Sequence, residues 1–213
     1  SCSTTKNLPE GEILYTGIDR MEVVNEDKTL AGITALTEVE AALAYAPNNA
    51  IFGSSSMRWP VPFGLWVYNN FEKYQNKKGV GRWIFDHLGT SPVLMSSVNG
   101  ETRAKVATNL LRDYGYFNGS VKYEEVPQKN PKEAKVNYII DMAQPYFLDS
   151  IAYLKYPVYA DSLIRTTRQQ SVLKSGDNFS VIKLDEERQR LSSLFRNHGY
   201  YYYRPEFTTF RAD

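Results

Sequence analysis

The sequence predicts an α+β protein made of two related β-α-α-β-β units, the first of which is interrupted by a long aromatic insertion. Two observations predict this organisation. Segment 101–117 aligns without gaps on segment 185–201, and each copy changes from helical to alternating periodicity directly after a glycine. A chain of 213 residues is long enough to form two modest domains with separate cores.

The first β-α-α-β-β unit starts with a loosely alternating segment at 13–24, which predicts a strand. Thr37 and Glu40 match a capping box, so we expect the first helix to start there and to end before Pro47. The second helix follows in 101–114, and a hairpin with one buried face comes next. The apolar residues of its two strands are Val121, Tyr123 and Val126, then Val136, Tyr138, Ile140 and Met142.

The second unit repeats this order. Segment 146–156 reads as its strand and 160–173 as its first helix; Ser175, Gly176 and Asp177 break the chain before the second helix at 185–198. A further strand is expected at 202–210. The clearest aligned pairs of the two copies are Leu110 with Leu194, Gly115 with Gly199 and Tyr116 with Tyr200.

Each second helix should end at its glycine, since a left-handed C-terminal cap favours that residue, and we expect Gly115 and Gly199 to be structural helix caps. The strand that follows each of them, at 118–126 and 202–210, should form a sheet edge. An exposed edge offers unpaired N–H and C=O groups to an incoming extended segment. The candidate residues for such strand-edge binding are Val121, Tyr123, Tyr203 and Phe207.

The insertion of the first unit runs from about residue 48 to residue 97 and contains a helical stripe of apolar residues. A binding surface is one interpretation of this stripe. Core packing of the insertion onto its host domain is the more common role of such a face, and we expect it here. The stripe consists of Phe63, Trp66, Val67, Phe71 and Tyr74.

Cys2 is the single cysteine and stands between two serines, followed by a polar segment. This arrangement resembles the start of a bacterial lipoprotein, in which a signal peptide is removed just before an acylated cysteine. Ser1 would then be the last residue of the signal peptide. A free surface thiol is the alternative interpretation of Cys2.

Composition and motifs favour a binding protein over an enzyme. The formal net charge of +1 gives no surplus for holding nucleic acid, and no apolar run approaches the roughly 20 residues of a membrane-spanning helix. The 16 Tyr, 10 Phe and 3 Trp suit half-buried strands and protein contacts. His87 and His198 lack metal-ligand spacing, and no nucleotide motif or catalytic triad can be assembled, so we expect no cofactor, no metal and no catalysis.

The glycine-aromatic ends of the second helices, with segments 145–151 and 173–179, resemble the POTRA repeats of outer-membrane protein assembly factors of the BamA and TamA type. The start at Cys2 resembles the lipoprotein variant, TamL. The resemblance implies a lipoprotein tether at 1–11, a first POTRA-like domain at 12–144, and a second one at 145–213 that lacks its last strand. Each would be a small mixed three-stranded sheet covered by two helices.

The resemblance also implies a function. The chain would be the periplasmic part of a lipid-anchored outer-membrane protein that precedes a β-barrel and helps to fold, insert or translocate other outer-membrane proteins. Its partners would be those client proteins, subunits of the assembly machinery and the membrane. The alternatives are a lipid-anchored periplasmic scaffold or binding module without a barrel and, less favoured, a periplasmic hydrolase.

Overall fold

A computed structural model describes residues 4–51, 53 and 57–211. The chain divides into two units that are not contiguous in sequence. Unit 1 comprises Ser1–Val24, Thr37–Thr108 and Ser120–Asp141, and unit 2 comprises Asn25–Leu36, Asn109–Gly119 and Met142–Asp213. These bounds differ from the expected division at residue 144, because segments 25–36 and 109–119 group with the C-terminal part of the chain.

Unit 1 contains a mixed three-stranded sheet of β1 (Leu14–Val24), β2 (Ser120–Pro127) and β3 (Glu133–Asp141). β3 is central, parallel to β1 and antiparallel to β2. Alternate residues of β3 and the residue after it are buried on one face, as the alternating sequence predicts. The fold is therefore α+β with a small mixed sheet. The buried residues are Ala134, Val136, Tyr138, Ile140 and Met142.

Helix α1 (Leu30–Leu43) begins well before its predicted start at Thr37, so the capping-box prediction is wrong. The hydroxyl of Thr29 accepts a hydrogen bond from the N–H of Gly32 at 3.2 Å, which is the geometry of an N-cap. Asp27 Oδ1 in turn accepts from the N–H of Thr29 at 2.9 Å. Thr29 and Thr37 can both act as N-cap residues, and the sequence alone does not distinguish them. In the structure the helix begins after Thr29.

The insertion forms α2 (Phe63–Phe71), a 3₁₀ turn (Glu72–Tyr74), α3 (Val80–Leu88) and the short α4 (Met95–Val98). The predicted core stripe is buried at Val67, but Phe63 and Trp66 are exposed, so the expectation of core packing is wrong for them. The side of α2 that Leu65 and Asn69 occupy is buried instead. A periodic pattern identifies an apolar face without identifying what covers it.

The first described residues of the expected tether lie against unit 1. The side-chain N–H of Asn69 donates to the carbonyl of Thr4 at 3.1 Å, and that of Asn7 donates to the carbonyl of Asn69 at 3.3 Å. Thr5 is buried, and the Thr4 hydroxyl donates to the Glu133 carboxylate. Residues from Thr4 onward therefore belong to the folded unit.

Helix α5 (Gly100–Asp113) leads into the β2–β3 hairpin, as predicted. Gly115 has φ +92°, and Tyr116 N–H donates to the Leu111 carbonyl at 2.9 Å, a bond that spans five residues. This is the Schellman arrangement, which closes a helix through a left-handed residue. The helix therefore ends at the glycine that the repeat singles out.

Unit 2 contains α6 (Val158–Thr166), a 3₁₀ turn (Arg168–Gln170), α7 (Val181–Asn197) and a last 3₁₀ turn (Pro205–Phe207). α7 starts at Ser180, whose hydroxyl accepts from Lys183 N–H at 3.3 Å. It ends with the same closure as α5: Gly199 has φ +99°, and Tyr200 N–H donates to the Phe195 carbonyl at 3.0 Å. The buried core consists of Ala160, Ile164, Leu191 and Phe195, surrounded by Tyr153, Tyr156, Leu163, Leu194, Tyr200 and Tyr203.

The strands predicted in the second copy are absent from the part of unit 2 that the structure describes. Segment 146–156 makes a single bridge, Phe147 to Asn178, and segment 202–210 contains the turn that starts at Pro205. Proline has no N–H for a ladder and favours the first position of a helical turn. The alternating tyrosines pack around Phe195 of α7 instead of lining a sheet.

Candidate strand-addition site

β2 is an outer strand of the sheet in unit 1, since it pairs with β3 alone among the described strands. Tyr123 lies opposite Tyr138 in the antiparallel register, and the Gln128 N–H donates to the Glu133 carbonyl at 3.0 Å. Antiparallel pairs alternate between bonded and non-bonded positions. Counting back from Gln128, the backbone groups of Val121, Tyr123 and Glu125 point away from β3 and form the open edge.

Both ends of this edge are closed. The Val121 N–H donates to the Thr108 hydroxyl of α5 at 2.9 Å, so it already has a partner. At the other end Pro127 has no N–H to offer. The donors left for an added strand are the N–H groups of Tyr123 and Glu125, two residues apart.

The side chains of the edge are held by the sheet and by α5. Val121 is buried, and the Tyr123 ring lies 6.3 Å from that of Tyr138. Gly100, the first residue of α5, leaves room for the Tyr123 ring, because a Cβ there would come within 2.3 Å of it. Burial and a hydrogen bond from its hydroxyl to Glu125 raise the pKa of Tyr123, so it is neutral at physiological pH.

The outer edge of β1 is covered over its first half. The Tyr15 N–H donates to the Val93 carbonyl at 2.8 Å, and the Arg58 guanidinium donates to the carbonyls of Thr16 and Ile18 at 3.2 and 3.0 Å. Both Val93 and Arg58 belong to the insertion. Sequence reasoning missed Arg58, since no local pattern connects it with a strand forty residues earlier. Its coverage leaves β2 as the more accessible edge.

The predicted site residues thus separate into two groups. Val121 and Tyr123 lie on the β2 edge, whereas Tyr203 and Phe207 are not on a strand. The Tyr203 hydroxyl lies 2.6 Å from the Thr208 hydroxyl, and its ring packs 4.7 Å from that of Phe195. Phe207 is exposed in the last 3₁₀ turn, so strand-edge binding at these two residues was wrongly predicted. Cys2 lies outside the described residues.

Unit 2 contains a fully buried carboxylate, Glu187, on α7. It accepts hydrogen bonds from the guanidinium of Arg190 at 2.5 and 2.9 Å, from the Tyr153 hydroxyl at 2.7 Å and from the Val172 N–H at 3.1 Å. Burial alone would raise the pKa of Glu187, but these bonds outweigh it and lower the pKa. Sequence reasoning did not single it out, because a Glu on a helix is ordinarily solvated.

The two histidines, which could act as metal ligands or as acid–base groups, each lie within hydrogen-bonding distance of a carbonyl of their own helix. Nδ1 of His87 lies 2.9 Å from the Trp83 carbonyl, and Nδ1 of His198 lies 2.8 Å from the Leu194 carbonyl, each within its own helix. Across residues 4–51, 53 and 57–211, no group of three or more His, Cys, Asp and Glu side chains is placed to hold a metal. None of the helices described is both long and apolar enough to cross a bilayer.

Comparisons with protein-family models, curated proteins and solved structures found no match to this chain.

Proposed function

We propose that this chain is the periplasmic part of an outer-membrane lipoprotein assembly factor, and that it binds extended segments of client proteins at the open edge of β2. The observation that carries the proposal is the pair of outward N–H groups at Tyr123 and Glu125 on an outer strand. Backbone recognition of this kind is indifferent to side-chain identity. It suits a protein that handles many clients sharing only an extended conformation.

The sheet topology supports the proposal. The resemblance to POTRA repeats predicts a mixed three-stranded sheet with the strand after the second helix at an edge. In unit 1 that strand is β2, and the sheet order is β1-β3-β2. Unit 2 gives weaker support, because it shares the helix ends of the repeat but no sheet within its described residues.

The edge is short, and this sets the expected affinity. A guest strand over residues 121–125 can use two N–H donors and neighbouring carbonyls, which is about four hydrogen bonds. At about 1 kcal/mol net for each bond, the backbone contributes about 4 kcal/mol before the cost of ordering the guest. Such binding is weak and reversible, as transient handling of an unfolded client requires.

A matched pair of substitutions at Glu125 tests the edge. Its side chain is exposed and its N–H points outward, so Glu125→Pro removes one edge donor without removing a bond to β3. Glu125→Thr removes the same carboxylate and keeps the N–H. The probe is a synthetic peptide of alternating apolar and polar residues, and the readout is hydrogen exchange at the amides of residues 121–125.

We expect the peptide to slow exchange at Tyr123 and residue 125 in the unmodified chain and in Glu125→Thr, and not to protect Tyr123 in Glu125→Pro. Far-UV circular dichroism checks that both variants keep the fold. Equal peptide protection of Tyr123 in the two variants, or protection outside β2, would overturn the edge as the binding site.

The lipoprotein part of the proposal is tested separately by the intact mass of the native protein purified from membranes of its source. A mass far above 24.4 kDa with acyl chains on Cys2 supports a lipidated assembly factor. An unmodified species near 24.4 kDa contradicts it and favours a periplasmic binding module without a barrel.

A further inference from the structure

All three tryptophans of the chain are exposed, and all lie in the insertion of unit 1. The exposed fractions are 61% for Trp59, 38% for Trp66 and 56% for Trp83. Large aromatic side chains contribute strongly to cores and are normally covered, so an exposed group of this size marks an interaction surface. Further exposed apolar residues of the insertion are Met57, Val61, Phe63, Val80 and Leu88.

The two helices of the insertion contact each other through their inner sides. The Tyr68 ring of α2 lies 5.3 Å from that of Phe85 on α3, and a Cβ at Gly81 would come within 2.8 Å of the Tyr74 ring. Among the residues of α3, Ile84 and Phe85 are half-buried and none is fully buried, and Trp83 is largely exposed. We call residues 57–66 together with 80–88 the aromatic surface.

Positive charge borders the aromatic surface. The turn between α2 and α3 carries exposed Lys73, Lys77 and Lys78, and the ammonium groups of Lys73 and Lys77 lie 5.1 and 5.7 Å from the Tyr74 ring centroid. Residues 57–90 contain five Lys and Arg against two Asp and Glu, whereas the whole chain has a net charge of only +1. The basic excess of the protein is therefore concentrated at this surface.

The N-terminal segment contacts α2. Asn69 of α2 holds the carbonyl of Thr4 at 3.1 Å, three residues along the helix from Trp66. In the sequence, Cys2 lies two positions before Thr4.

We propose that the aromatic surface lies in the interface between headgroups and acyl chains of a lipid bilayer, with Lys73, Lys77 and Lys78 at the phosphates. Tryptophan favours this interface, where the ring is apolar and the indole N–H stays wet. Basic residues add attraction to anionic headgroups. The inference rests on the proposed lipoprotein function for the identity of the leaflet, which is the one that holds the acyl chains of Cys2.

The basic residues that border the aromatic surface favour a lipid surface over a protein partner. Protein interfaces enrich tryptophan and arginine at their centres and are depleted in lysine. The turn between α2 and α3 carries three exposed lysines, the arrangement expected where side chains reach for phosphate. Two arginines also lie within the aromatic surface, but Arg58 donates to carbonyls of β1 and Arg82 forms an ion pair with Asp86. The result would be a second point of membrane contact that fixes how unit 1 is oriented at the leaflet, beyond what a lipid tether alone provides.

The test uses the full chain with Cys2→Ser, so that no acyl group contributes to binding. Vesicles contain phosphatidylethanolamine with phosphatidylglycerol, and phosphatidylethanolamine with phosphatidylcholine as the neutral comparison. Because every tryptophan belongs to the aromatic surface, intrinsic fluorescence reports on this surface alone. We expect a blue shift on adding anionic vesicles, quenching by brominated acyl chains, and sedimentation with the vesicles.

Trp66→Ser with Trp83→Ser should lower the vesicle partition coefficient at least tenfold, and Trp59 remains as the reporter. Tyr202→Ser is the matched control, since this aromatic is 93% exposed but lies in unit 2, and it should leave partitioning unchanged. Replacing the three lysines by Gln should weaken binding to anionic vesicles and not to neutral ones. Circular dichroism establishes that each variant is folded.

An unshifted emission spectrum with saturating vesicles would overturn the proposal, as would partitioning that ignores the double substitution. Self-association that disappears with Trp66→Ser and Trp83→Ser, without any vesicle binding, would assign the surface to a protein partner instead. Because the assay uses an unlipidated chain, its failure leaves the Cys2 mass test and the β2 peptide test unaffected.

Discussion

Gly115 and Gly199 occupy equivalent places in the two copies of the repeat, yet alanine should cost very different amounts at them. Both have positive φ, +92° and +99°, where alanine is disfavoured by about 1 kcal/mol. At Gly199 nothing lies within 4 Å of an added Cβ, so this strain is the whole cost. At Gly115 the Cβ would lie 2.4 Å from the Phe179 carbonyl oxygen, and this backbone must move.

Overpacking of this kind typically adds 1–3 kcal/mol, so we expect about 1 kcal/mol for Gly199→Ala and about 3 kcal/mol for Gly115→Ala. The assay is urea unfolding followed by far-UV circular dichroism, because the tryptophans report on unit 1 only. With a slope of about 2 kcal/mol per molar urea, the two midpoints should differ by about 1 M. Equal midpoints, or a larger loss for Gly199→Ala, would refute the clash at Phe179.

Three further substitutions test individual side-chain interactions, two in the cores and one at the start of α7. Glu187→Ala should cost about 3 kcal/mol because it leaves the Arg190 guanidinium unpaired, while Glu186→Ala, exposed one residue earlier, should cost little; similar losses would contradict the network. Folding lowers the pKa of Glu187, so its contribution is fully present above the ordinary glutamate pKa of about 4.3. The contribution should be lost gradually as the pH falls from there through the lowered pKa of the folded state, and the urea midpoints of wild type and variant should approach each other over that range. Tyr138→Phe should leave stability unchanged or raise it by up to about 1 kcal/mol, because the buried hydroxyl has no partner among the described residues; a clear loss in thermal unfolding would indicate one. Ser180→Ala should cost about 1 kcal/mol in the same measurement through loss of the α7 cap, unless the helix start is wrongly placed.

Local patterns predicted the parts of the fold that local forces determine. The alternation of apolar and polar residues correctly predicted the β2–β3 hairpin with Tyr138 on its buried side. Gly115 and Gly199 correctly predicted the ends of α5 and α7. The start of α1 was missed because Thr37 and Thr29 both have capping chemistry. In the structure, Thr29 is the residue that caps the helix, and Asp27 accepts a hydrogen bond from its N–H.

The second copy shows why alternation is not sufficient for a strand. A ladder needs a partner strand, and a sequence pattern describes only one side of that pair. In unit 2 the tyrosines pack against the core cluster that contains Phe195 of α7, so their rings are partly buried without a sheet. These tyrosines are Tyr153, Tyr156, Tyr200 and Tyr203. The prediction of an outer strand is therefore confirmed for β2, whereas Tyr203 and Phe207 do not lie on a strand; binding at the β2 edge stays a prediction.

The closed ends of the β2 edge have a consequence for the protein at high concentration. Any strand that can accept a guest can also accept the same strand of a second copy, and long flat edges polymerise in this way. With Thr108 occupying the first donor and Pro127 offering none, only two donors remain for such a pairing. We expect a dimer joined there to be weak, because only a few backbone hydrogen bonds could form between the two strands.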